Sequence, residues 1–125
     1  MKGRNRTLGK KGEDIAVRFL TRKGYKIIGR NVRTYVGEID IVARKEPSIV
    51  FVEVKTRKSR TFGPPYTAIT IKKTRKLIQC AQCYLNMKQI VDSPWQIDVV
   101  SVQIDDIFGF IKRIEIEHFK DAIEE

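Results

Sequence analysis

Apolar residues alternate with polar ones over residues 38–44 and 49–56, and recur with a helical period over residues 7–23 and 70–87. The first periodic stretch places Leu8, Ile15, Phe19 and Leu20 on one helical stripe, thinned by Gly12 and Ala16, and Gly24 follows as a C-cap. The second opens with Thr70 as its cap and carries Ile71, Thr74, Leu77, Ile78, Ala81, Tyr84 and Leu85 inward, with Lys72, Lys73, Arg75 and Lys76 at or beyond the stripe's edges. Strands are predicted for Tyr25–Arg33, the two alternating segments, Trp95–Val102 and Ile111–Ile116, with a short C-terminal helical turn near His118. The order α-β-β-β-α-β-β implies a mixed sheet flanked by helices, in one domain spanning residues 1–125.

The two alternating segments fit one hairpin. Lys45-Glu46-Pro47-Ser48 reads as its turn, and if Arg44 faces Ile49, paired residue numbers sum to 93. Ile39, Ile41 and Ala43 then face Val54, Val52 and Val50 on a wholly aliphatic side. The other side bears Val42, Ile49 and Phe51 and, at one end, Glu38, Asp40, Glu53 and Lys55. A slip of one residue would place acids among the aliphatics, so the pattern specifies the register. Asp40 falls opposite Glu53 and Glu38 opposite Lys55, with Cβ atoms of directly paired residues about 4.5–5.5 Å apart.

Two carboxylates at that separation can share one Mg²⁺ or Mn²⁺, a hard cation that keeps several waters and takes oxygens from a phosphate. Such an ion polarises a phosphoryl oxygen and lowers the pKa of bound water, and Lys55 is placed to orient that water or to neutralise developing charge. The plainer reading is a row of cross-strand ion pairs worth a few tenths of a kcal/mol each. Glu53 weighs against it, because it follows the apolar run Ile49-Val50-Phe51-Val52, where a carboxylate is partly desolvated. Glu13, at the border of the first helical stripe, is either a third acid reaching the sheet or a solvated helix residue.

Charge supplies the partner class. The 125 residues carry 25 Lys and Arg against 15 Asp and Glu, a formal charge of +10 that points to a polyanion. Lys10 and Lys11 lie in an acid-free N-terminal segment, and every charged residue from Lys55 to Lys76 is basic, including Arg57, Lys58, Lys72 and Lys73. The acids gather toward the C-terminus. A segment from Arg57 to about Ala68, with Gly63-Pro64-Pro65-Tyr66, reads as a substrate-contact loop or a connector. The lysines lack the apolar anchors of a membrane-surface helix, and no apolar run approaches the roughly 20 residues of a membrane span. The basic N-terminus has no apolar signal segment, so a cytoplasmic location is expected. Cys80 and Cys83 form a lone C-x2-C without four zinc ligands and read as helix-packing thiols; His118 reads as structural and Trp95 as core. Nucleophile-elbow, P-loop and dinucleotide motifs are absent.

Gly37-Glu38-Ile39-Asp40-Ile41-Val42-Ala43 and Val50-Phe51-Val52-Glu53-Val54-Lys55-Thr56-Arg57 closely resemble the YraN family of bacterial proteins, as do Gly9-Lys10-Lys11-Gly12-Glu13, Gly24-Tyr25 and Asn31-Val32-Arg33. The resemblance covers nearly the whole chain. It implies a restriction-endonuclease-like fold of the PD-(D/E)xK superfamily, similar to archaeal Holliday-junction resolvases, and by that analogy a two-fold dimer. By position Asp40 resembles the first metal ligand, Glu53 the second acid, Lys55 the motif lysine, Glu13 the upstream helical acid and Lys73 a basic position on the second helix. Ile39 stands where the superfamily often has proline, and Trp95-Gln96-Ile97-Asp98 lacks an arginine that members often place there. The expectation is a Mg²⁺- or Mn²⁺-dependent endonuclease acting on DNA, branched or structured forms included. The alternatives are a non-catalytic nucleic-acid-binding protein with the same fold, and an RNA-processing factor.

Overall fold

Helix α1 (Gly3–Arg22) stops where Gly24 adopts a φ of 91°. Gly24 N–H donates to the Thr21 carbonyl and Tyr25 N–H to that of Leu20, the paired bonds of a Schellman cap. The structure, a computed structural model, describes residues 3–58 and 71–123, and only the backbone of 3–7, 71, 72 and 107. Strands β1 (Lys26–Arg33), β2 (Glu38–Lys45) and β3 (Ser48–Lys58) follow α1, then helix α2 (Ile71–Met87), β4 (Trp95–Ile107) and β5 (Phe110–Phe119). The expected element order is therefore present. The Gly63-Pro64-Pro65-Tyr66 segment and the Thr70 cap lie outside the described residues.

One five-stranded sheet, in the order β1-β2-β3-β4-β5, forms the middle layer. Its neighbours pair antiparallel except β3 and β4, which run parallel because α2 crosses between them. The hairpin has the predicted register, from Lys45↔Ser48 to Ile41↔Val52, around a turn whose Glu46–Pro47 peptide is cis. Alternation divides the core between the two sheet faces. Ile41, Ala43, Val50, Val52, Val100 and Val102 pack with Ala16 and Leu20 of α1, while Val42, Ile49, Phe51, Ile97 and Val99 pack with Leu77, Ala81, Tyr84 and Leu85 of α2. Cys80 is buried in that second layer and both cysteines are free thiols; Trp95 packs partly buried against Phe51, their rings 5.9 Å apart. Among the described residues no helix is long and apolar enough to cross a membrane.

Two expectations need correction. The β2–β3 ladder ends at Ile41↔Val52, so Ile39 leaves the α1-facing aliphatic row and joins Val42 and Phe51 under α2. The chain near His118 is strand rather than helix. β5 continues to Phe119, and the buried His118 ring bonds through Nε2 to Asp98 Oδ2 at 2.7 Å. Asp98 is fully buried on β4 and also accepts from Gln96 Nε2 and Asp121 N–H, which fastens the last strand to the sheet.

Candidate active site

The turn before β2 sets the site's position. Thr34 Oγ1 accepts from the N–H groups of Val36 and Gly37 and donates to the Gly37 carbonyl, which aims the chain into β2. Gly37 of the Gly-Glu-Ile-Asp motif passes directly under α2: a Cβ there would lie 3.0 Å from Lys76 Cε and 3.1 Å from Cys80 Sγ. Beyond the last ladder pair, Asp40 Oδ2 accepts the Val54 N–H at 2.8 Å, so a side chain takes over from the backbone where β2 and β3 part. That bond holds the Asp40 carboxyl against β3, where the charge of Glu53 acts on it. Glu53 retains 8% of its surface. Lys73 Nζ lies 2.9 Å and Lys55 Nζ 3.6 Å from Glu53 Oε2. Asp40, Glu53 and Lys55 thus meet at one place, joined by Lys73 from α2.

The electrostatics follow from crowding like charges in a half-dry site. Burial, then the charge of Glu53, pushes the Asp40 carboxyl up to about 7; the Val54 N–H opposes this and the charge of Glu13 adds to it. Burial and a hydrogen bond with Lys73 hold Lys55 below the usual lysine value, against the pull of Glu53. Burial also disfavours charge on Lys73, but its hydrogen bonds to Glu53 and Lys55 outweigh that and raise it. The cluster therefore has, on either side of Glu53, a proton-holding acid and a lysine eased toward its neutral form.

The donor set suits a hard divalent cation that keeps most of its water. Burial and the charge of Glu53 make Asp40 favour holding a proton, and a cation would replace that proton with a stronger counter-charge. Among the described residues no three of His, Cys, Asp and Glu gather closely enough to form an all-protein cage. Glu13 stands to one side, with Oε1 accepting from Asn31 Nδ2 at 3.1 Å and lying 3.7 Å from Arg30. It acts on Asp40 through its charge. Glu38 is not paired with Lys55, because the β2–β3 ladder ends at Ile41↔Val52; its exposed carboxylate lies 3.9 Å from Arg33, its partner on β1.

Further cations gather where α1 meets the end of β3. Gly12 of α1 presses on Thr56 of β3, where an added Cβ would collide with the Thr56 side chain. Lys10 and Lys11, exposed just before it, therefore stand near the end of β3 where half-buried Arg57 and exposed Lys58 emerge. The Lys72 side chain lies outside the described residues. Sequence reasoning missed Ser101, which pairs with Lys55 across β3 and β4 and buries its Oγ with no hydrogen-bond partner among the described residues. The only available signal was a serine amid the valines of β4.

The chain is 44% identical over 122 residues to a UPF0102 protein of Pelobacter propionicus, covering 96% of this chain and 84% of that one. It is also 41% identical over 127 residues to a UPF0102 protein of Roseiflexus castenholzii, covering 100% of this chain and 99% of that one. The family model described as Uncharacterised protein family UPF0102 matches residues 12–102, a span that runs from the Gly12 contact into β4 and includes Asp40, Glu53, Lys55, Lys73 and Ser101. The chain belongs to the UPF0102 family.

Proposed function

We propose that this chain is a metal-dependent endonuclease acting on DNA, including branched or structured forms, with the restriction-endonuclease-like architecture of PD-(D/E)xK proteins. The observation that carries this reading is the convergence of Asp40, Glu53 and Lys55 at the point where β2 and β3 separate. Asp40 and Glu53 would hold the cation, which when bound supplies Lewis-acid polarisation of the phosphoryl oxygen and a more acidic water. Glu13 adds negative charge from α1. Lys55, its amine eased toward the neutral form, is placed to orient the attacking water and take its proton. Lys10, Lys11, Arg57, Lys58, Lys72 and Lys73 would hold the flanking phosphates, in keeping with the +10 charge.

A non-catalytic binding protein is the competing reading, favoured by the two lysines already paired with Glu53. Incubating branched and linear DNA with Mg²⁺ or Mn²⁺ separates the two. The nuclease reading expects cutting by the wild type and a loss of at least about 100-fold in Asp40→Ala and Glu53→Ala. Binding without any cut strand in either metal would refute it, and preferential cleavage of RNA would move the substrate class.

A further inference from the structure

Holding a flanking phosphate does not by itself account for where Lys73 sits, on Glu53. It enters from the first turn of α2, where the helix's exposed N–H groups favour an anion over a cation. Its ammonium nonetheless lies nearer Glu53 than that of Lys55, at 2.9 Å against 3.6 Å. The two lysines also differ in freedom. Lys55 is 21% exposed and rises from the strand that carries Glu53, whereas Lys73 is 38% exposed and reaches in from another element. A divalent ion on Asp40 and Glu53 would compete with Lys73 for the same Glu53 oxygen, and would repel a nearby ammonium.

We infer that Lys73 is the resident counter-ion of the carboxylate pair, and that a divalent cation releases it to grip a substrate phosphate. This inference rests on the proposed cation site and assigns that site a regulation. Without the cation, Lys73 spends its charge on Glu53. With it, the displaced ammonium stands at the rim of the site, where a phosphate oxygen is its natural partner. Cation binding and nucleic-acid binding are then coupled through one side chain, and by linkage each strengthens the other.

The test uses the full chain. Mn²⁺ alone is titrated by calorimetry into the wild type, Lys73→Met, Lys73→Arg and Asp40→Asn, with melting curves to confirm folding. Loss of the counter-ion should tighten Mn²⁺ binding by roughly three- to tenfold in Lys73→Met. Lys73→Arg should retain the wild-type affinity, and Asp40→Asn should lose the site. The second readout is the salt dependence of binding to uncleaved junction DNA. Without a divalent cation Lys73→Met should share the wild-type slope of log K against log salt; with Ca²⁺ the two slopes should differ by about 0.9, one phosphate contact. Unchanged or weaker Mn²⁺ binding by Lys73→Met, while Asp40→Asn abolishes it, would overturn this inference and leave the cation site standing. Equal binding by wild type and Asp40→Asn would remove the cation site, and the coupling with it.

Discussion

Asp40 shows how one residue's surroundings set its chemistry. Burial and the adjacent Glu53 lift its carboxyl from an ordinary 3.8 to about 7, so the folded chain holds a proton there that the unfolded chain has released. Between those values the folded state binds more protons, and stability falls as pH rises through the window. In chelator-treated protein, urea unfolding at pH 5 and pH 8 should show a loss on the order of 2 kcal/mol, and Asp40→Asn should remove most of it. The glycines of α1 give a contrast of the same scale. A Cβ at Gly12 would strike Thr56, whereas one at Gly9 meets nothing within 4 Å. Gly12→Ala should cost about 1–3 kcal/mol, and Gly9→Ala should add about 0.5–1 kcal/mol, both read from denaturant midpoints. The acids and Lys55 were legible because they occupy alternating positions beside an apolar run. The Lys73 contact with Glu53 was not, since a side chain's reach from a neighbouring helix leaves no local pattern.

At the level of elements, the hairpin was the most legible feature, because period-two alternation and the Glu-Pro-Ser turn fix one register. The same pairing rule overreached at its end. It extended the ladder to Asp40 and Glu38, where Asp40 in fact caps the Val54 N–H and Glu38 turns to Arg33. Strand β5 was underread for a related reason. Ile114, Ile116 and His118 continue one alternating row, but a histidine looks like the end of a strand unless its buried partner is known. Asp98 supplies that partner. Burial alone would raise the Asp98 carboxyl, but the hydrogen bonds from His118, the Asp121 N–H and Gln96 more than offset it and hold it below the usual range. A lowered carboxyl contributes stability above its unfolded value of 3.8 and loses it as pH falls through the folded one. Asp98→Asn should cost about 3 kcal/mol at pH 7 and lessen the drop in stability on acidification below about pH 4, measured by thermal melts across pH.

For the molecule as a whole, the sheet forms a partition with an apolar layer on each side, one closed by α1 and the other by α2. Asp40, Glu53 and Lys55 stand at the gap where β2 and β3 diverge, within reach of both helices: Glu13 acts from α1 and Lys73 from α2. That placement accounts for a conspicuously basic chain keeping two carboxyls together at a cost to its own stability above neutral pH. The overall charge and the element order were both readable from the chain, the first by counting and the second by periodicity. The meeting of α2 with the carboxylates was not, because it depends on how a parallel crossover seats the helix. The most direct test of a cation-holding carboxylate pair is a crystal grown with Mn²⁺ and examined for anomalous scattering. A peak in direct contact with both Asp40 and Glu53, with Lys73 moved off Glu53, is the predicted result. Clean density for both carboxyls with no peak between them, at Mn²⁺ concentrations that saturate other sites, would contradict the account.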